Sequence, residues 1–205
     1  MTIKNYDELS SLELDTLKEI GSIGTGNAAT SLSALIGKPV RIQTPEVRIM
    51  GYNEAIEWIG GPEEITAGVL VGMSGQISGI MLSVQQLEFV NLVLDRSVED
   101  YMELQELESS ALTEVGNIMI STFINALSGL AGIDIELTVP AFTVDMQGAI
   151  MAVPMAEYGG QSDYIMTIGG NFICNGKEIP CRLLLSPDIR SLNFLLRKLG
   201  VDSGE

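Results

Sequence analysis

"LELDTLKEIGSIGTGNAATSLSALIGKPVRIQTPEV" runs from Leu12 to Val47. Displaced by 95 residues, it lies without a gap on "LESSALTEVGNIMISTFINALSGLAGIDIELTVPAF", Leu107 to Phe142. Eleven of the 36 aligned positions are identical: Leu12/Leu107, Glu13/Glu108, Leu17/Leu112, Glu19/Glu114, Gly21/Gly116, Ile23/Ile118, Leu32/Leu127, Ser33/Ser128, Leu35/Leu130, Gly37/Gly132 and Pro45/Pro140. Ordinary composition would give about two or three by chance. The segment is an internal duplication. It implies two similar halves related by approximate two-fold symmetry.

Each half opens on a helix signal. Ser10–Glu13 is an S-x-x-E capping box placed just before the apolar spacing begins. Leu14, Leu17, Gly21, Gly24, Ala28, Ser31 and Leu35 then recur at three- and four-residue steps, which is one helical face. Gly37 ends the helix and Pro39 prevents its resumption. In the second half Leu107, Leu112, Val115, Ile118 and Leu127 carry a similar pattern, and Gly132 closes it.

Strands follow the helices. Residues 40–50, "VRIQTPEVRIM", alternate in part, and Pro45 predicts an edge strand or a break. Residues 65–84 read as a hairpin turning near Gly75-Gln76. Residues 164–186 are its counterpart, with Asn175-Gly176 as the turn. A short helix is expected after each hairpin, at Gln85–Asp95 and at Pro187–Leu199 with Ser186 as N-cap. The acidic connector at 95–108 is too short and regular for a disordered linker. The expectation is one domain over 1–205, made of two repeats at about 8–95 and 103–200. Its class is α/β, α+β-like: long helices packed on a mostly antiparallel sheet.

Composition narrows the chemistry. The chain is 46% hydrophobic, enough to bury a core. Its net charge of −16 opposes binding to nucleic acid or to anionic membranes, both of which need a basic face. It suits a partner with a basic feature. "MTIKNYDELSS" has no apolar signal core, and no stretch approaches the roughly 18 apolar residues of a membrane span. A cytoplasmic location is expected. The chain has no histidine, which removes Ser-His-Asp and Cys-His nucleophiles and HExxH zinc sites. Cys174 and Cys181 cannot build a four-ligand zinc site and read as reduced, structural thiols.

Gly24–Ala29 spells G-x-G-x-x-A, the start of a dinucleotide fingerprint. That fingerprint needs a strand before it and an acid about 20 residues on. Here a helix has already begun, and in the duplicate Gly24 and Gly26 become Met119 and Ser121. The glycines read instead as clearance for a neighbouring helix or sheet.

The acids survive better than the glycines. Glu19 and Glu114 each stand two residues before a retained Gly, with Ser22 or Asn117 three residues on and Asp15 or Ser110 four residues back. Those steps place Asp15–Glu19–Ser22, and likewise Ser110–Glu114–Asn117, on one helix surface. Pro45 and Pro140 follow 23 residues after Ser22 and Asn117.

On these residues the chain resembles the CheC/CheX/FliY family of chemotaxis phosphatases, over nearly its whole length. The family signature [D/S]-x3-E-x2-N-x22-P occurs twice in CheC-type members. Here the second copy (Ser110, Glu114, Asn117, Pro140) is intact. The first (Asp15, Glu19, Pro45) has Ser22 in place of the usual Asn. The resemblance implies hydrolysis of the aspartyl phosphate of a CheY-like response regulator. The Glu would bind a Lys beside the phosphate and the Asn would position the attacking water. It implies no cofactor of the chain's own, with Mg²⁺ on the partner regulator, and a second partner, the deamidase CheD. It also leaves an alternative, a non-catalytic adaptor binding CheD or phosphorylated CheY. The Glu114/Asn117 site is expected to dominate over the degenerate Glu19/Ser22 site, and the chain is expected to act as a monomer.

Overall fold

The structure, a computed structural model, describes residues 6–158 and 163–201. The two duplicated segments open on equal helices of 26 residues, α1 (Ser11–Ile36) and α4 (Glu106–Ala131). Between and after them lie α2 (Tyr52–Ile59), α3 (Leu87–Leu94), α5 (Gln147–Tyr158) and α6 (Ile189–Lys198). The strands are β1 (Val40–Gly51), β2 (Ile65–Gly75), β3 (Gly79–Gln85), β4 (Ile135–Leu137), β5 (Ala141–Met146), β6 (Tyr164–Cys174) and β7 (Lys177–Pro187).

They form one antiparallel sheet in the order β1-β6-β7-β3-β2, with β4 and β5 sharing the far edge of β2. The duplication equates β1 with β4 plus β5, and each hairpin with the other. The strand order therefore maps onto its own reverse, and the pseudo-two-fold passes between β3 and β7. Each copy also lends its first strand to the other: β1 pairs with β6, and β5 pairs with β2. Neither half closes its own sheet, so the two fold as one body.

The hairpins turn where the sequence places them. Asn175 and Gly176 both have positive φ (51° and 76°), the geometry that Asn-Gly supplies at low cost. Pro45 lies in β1 where the register slips between Gln43 and Glu46, and β1 is an edge strand. Its equivalent Pro140 falls in the gap between β4 and β5. Both readings of Pro45, edge and break, hold together, because proline cannot donate to the ladder.

Both faces of the sheet are covered, so β3 is buried along its whole length. Alternation sorts its neighbours. Val69, Val71, Met81, Ile168, Leu183 and Leu185 point into the main core beneath α1 and α4. Leu82, Val84, Ile165 and Leu184 point the other way, against α2 and α5. The glycines set how closely the helices approach. A Cβ on Gly21 would overlap Cγ2 of Val47 on β1, and one on Gly24 would lie 2.7 Å from Cε2 of the Phe123 ring on α4. Gly21 thus fits the helix to the sheet and Gly24 fits it to the other helix.

Several expectations need correction. Leu35 and Leu107 are exposed, at 46% and 81%, rather than core. The buried stripe of α1 runs through Ile20 and Leu32 instead, and Leu107 sits in the opening turn of α4, off the line of Leu112. The N-cap of α6 is Asp188, which accepts from the Ser191 N–H at 2.8 Å, whereas Ser186 and Pro187 still belong to β7. Helices α2 and α5 carry no sequence-based expectation. Both cysteines are free and buried, and burial pushes the Cys181 thiol up to about 12.

The clearances generate a paired prediction. Gly21→Ala should lower stability by about 1–3 kcal/mol through overpacking. A methyl at position 26 would meet nothing within 4 Å. Gly26→Ala should therefore raise stability by about 0.5–1 kcal/mol through helix propensity. Urea midpoints of the two variants against the parent chain test both signs.

Candidate functional site

Most retained positions have a visible structural task. Ser10 caps α1: Glu13 N–H donates to Ser10 Oγ at 3.3 Å, and Ser10 N–H donates back to Glu13 Oε2 at 2.7 Å. In the second copy Glu108 accepts from the Gln105 N–H at 2.9 Å. It also takes two bonds from the Arg96 guanidinium, at 2.6 and 2.9 Å. These charge-assisted bonds hold the Glu108 carboxyl well below its usual range, at about 2. Gly37 and Gly132 end the helices in the left-handed conformation, with φ 65° and 62°. Ser33 donates to Lys38 O at 2.7 Å, and Ser128 donates to Ile133 O, tying down each exit turn. Leu17, Leu112, Leu32 and Leu127 are core.

Glu19 and Glu114 have no such task. Both are exposed on the outer faces of α1 and α4. Among the described residues neither carboxylate has a hydrogen-bond or ion-pair partner. Ser22 is exposed and Asn117 half-buried, and their side chains also lack partners among the described residues. One helical turn separates Glu from Ser or Asn, about 5–6 Å between Cβ atoms. Each site is thus an acid and a polar neighbour on a helix fixed from below, with their hydrogen-bonding capacity unspent. A carboxylate there can bind a cation. A carboxamide can accept from a water through its C=O and donate through its NH₂.

The other motif residues bond elsewhere. Asp15 pairs with Lys18 at 2.9 Å, an exposed contact worth little. Ser110 donates to Glu106 O within its own helix at 2.9 Å. Pro45 shapes the edge of β1 beneath α1, two residues before the Val47 that Gly21 accommodates. Under α4 a Cβ on Gly116 would overlap Val69 of β2, 2.6 Å from its Cγ2, and a polar side chain adds to that packing. The Gln85 amide of β3 donates to Leu112 O at 3.0 Å, and a Cβ on Gly116 would lie 2.9 Å from that amide nitrogen. Sequence reasoning misses Gln85, because nothing in its own segment marks it.

The CheC-like family model matches this chain twice, at residues 12–49 and 107–144. Each copy of the duplicated segment is thus similar to the CheC-like family. Both matches take in an α1- or α4-type helix together with the edge strand after it. Among relatives, the CheY-P phosphatase CheC of Bacillus subtilis (strain 168) is 24% identical over 204 residues, covering 95% of this chain and 97% of that protein. The flagellar motor switch phosphatase FliY of the same organism is 28% identical over 143 residues, covering 67% of this chain and 37% of FliY. The crystal structure of Thermotoga maritima FliY shares the CheC-like fold, with a TM-score of 0.71 at 22% identity, over 94% of this chain and 98% of that one.

Among the described residues no helix is long and apolar enough to cross a membrane, and no group of three acids or cysteines could hold a metal ion.

The Arg96–Glu108 pair anchors the start of the Glu114/Asn117 helix and has a pH signature. The Glu108 pKa is lowered on folding, so its contribution is present above the ordinary value near 4.5 and lost as pH falls toward about 2. Urea midpoints measured from pH 6 to pH 2 should fall less steeply in Glu108→Gln than in the parent, with the variant the weaker of the two at pH 6.

Proposed function

We propose that this chain hydrolyses the aspartyl phosphate of a CheY-like response regulator, chiefly at Glu114 and Asn117. The observation that carries the reading is a Glu without a partner among the described residues, with an amide one turn on, both held on the outer face of a helix fixed from below. Its relatives' names, CheY-P phosphatase and motor switch phosphatase, point the same way.

The chemistry needs little from this side. An acyl phosphate is reactive, and the regulator brings the Mg²⁺ that neutralises developing charge. Glu114 docks a partner Lys beside the phosphate through a charge-assisted hydrogen bond. The Asn117 carboxamide holds one water in line. Water oxygen bonds to phosphorus, the bond from phosphorus to the aspartate oxygen breaks, and carboxylate and inorganic phosphate are the products. Both water protons leave with the phosphate, as dihydrogen phosphate that then equilibrates with solvent. Positioning of this kind can lower the barrier by several kcal/mol, and it needs no histidine.

Ser22 is shorter than Asn and its hydroxyl orients water less directionally. The Glu19/Ser22 site therefore docks the regulator and turns it over slowly, which is where the adaptor reading keeps its force. On this reading the chain works as one domain of two repeats, as a monomer in the cytoplasm. CheD is a second partner, and no cofactor is the chain's own.

The test is decay of labelled acyl phosphate on a CheY-like regulator with substoichiometric chain. Asn117→Ala should slow turnover about ten- to hundredfold. Ser22→Ala should change it little, and Ser22→Asn should raise the total rate up to about twofold by adding a second working site. Full activity in Asn117→Ala would sink the assignment. Stoichiometric binding by the parent chain without acceleration would favour the adaptor.

A further inference from the structure

Structural tasks account for seven of the eleven retained pairs: Glu13/Glu108, Leu17/Leu112, Gly21/Gly116, Leu32/Leu127, Ser33/Ser128, Gly37/Gly132 and Pro45/Pro140. Four pairs remain: Glu19/Glu114, Leu12/Leu107, Ile23/Ile118 and Leu35/Leu130. The glutamates are assigned above. The rest are apolar side chains retained in both copies although the fold does not bury them. Leu12 is 61% exposed and Leu107 81%, Ile23 is 39% exposed, and Ile118 is half-buried.

Three of the four pairs share a line. At 3.6 residues per turn, Leu12, Glu19 and Ile23 fall within about 40° of one another around α1. Leu107, Glu114 and Ile118 repeat the arrangement on α4. Leu35 and Leu130 point at least a third of a turn away. Each Glu is therefore flanked along the helix by an apolar side chain two turns before it and another one turn after it.

We propose that Leu12 with Ile23, and Leu107 with Ile118, are positioning residues that seat the phosphorylated regulator on the helix around each Glu. The inference rests on the phosphatase reading for the identity of the partner. Two physical reasons support it. An exposed Glu–Lys pair contributes little while water screens it. Apolar contacts on either side exclude that water, so the ion pair strengthens only once the partner is seated. The seat also favours the one axial register in which each Glu meets the partner's cation, so its loss shows in affinity and not in the turnover of a regulator once bound. These residues act on binding and leave the chemical step to Glu114 and Asn117.

The experiment titrates a fluorescently labelled CheY-like regulator, loaded with Mg²⁺ and beryllofluoride as an acyl-phosphate mimic, with the full chain. In parallel it measures KM and kcat for the phosphorylated regulator. Leu12→Ser/Leu107→Ser should weaken binding and raise KM by about tenfold or more, from lost apolar burial, with kcat unchanged. Leu12→Met/Leu107→Met should keep near-parental affinity. Leu35→Ser/Leu130→Ser is the control for general surface stickiness and should bind as the parent does. Urea midpoints should stay at the parental value, because the altered side chains are exposed.

Parental affinity in the Leu12→Ser/Leu107→Ser variant would overturn the proposal, as would an equal loss in the Leu35/Leu130 control. So would a parent chain that sediments as a dimer and dissociates only in the Leu12/Leu107 variant, since a second copy would then be the occupant. A parent chain that binds the loaded regulator through these residues but never hydrolyses acyl phosphate would defeat the phosphatase reading and leave the seat standing.

Discussion

The Gln85 amide reaches under α4 to the carbonyl of Leu112, in the turn that presents Glu114 and Asn117 on its outer side. A Cβ at position 116 would crowd both that amide and, more closely, Val69 of β2. The Gln85 backbone oxygen in turn accepts from the Tyr101 hydroxyl at 2.8 Å, and burial pushes that phenol up to about 12. A strand side chain, a helix and the connector between the repeats are thus locked at one point. On α1 the packing half of this contact stands alone, with Gly21 against Val47 and Ile168 as Gly116 is against Val69. In both copies the retained glycine holds the helix down on the sheet, and the outer face of that turn, with its Glu, stays exposed.

Strand exchange makes this arrangement a property of the whole chain. The strand beneath α1 is β1, and β1 is held in the sheet by β6 of the other copy. The edge of the first hairpin is covered in return by β4 and β5. Loosening either repeat would release the support of the opposite helix. The crossing of α1 and α4 adds a second coupling, with Gly24 taking in the Phe123 ring and Ser31 meeting Thr122 at 3.3 Å. A site made of two side chains on one helix is therefore positioned by contacts from both halves.

Much of this is legible from the duplication. The offset of 95 residues locates both long helices, their closing glycines and the paired prolines, and the hairpin turns carry their own Gly and Asn-Gly signals, because each depends on local chemistry. The clearance role of Gly21 and Gly24 follows once the duplicate dissolves the dinucleotide fingerprint. Other features lie out of reach. Helix α2 has only eight residues, and α5 contains Pro154, which argues against a helix interior. The exchange of first strands cannot be read from a repeat, since a repeat says what each half contains and not which half it pairs with. Leu35 and Leu107 look like core in the sequence because retention and apolar character together resemble packing. Their exposure separates the two causes of retention.

That separation bears on how the two sites have diverged. Position 21 faces Val47 and Ile168, and a Cβ there would displace the Val47 side chain. Position 22 faces solvent and touches nothing that the fold requires. An Asn-to-Ser change there costs the fold almost nothing and falls entirely on what the side chain does to a bound partner. Glu19, Leu12 and Ile23 are as open to drift as Ser22, yet they match their counterparts on α4. A site that had lost every role would have no physical reason to keep an unpaired acid and two solvent-facing apolar side chains. On the phosphatase function proposed above, their persistence beside Ser22 fits a first site that docks the regulator and turns it over slowly.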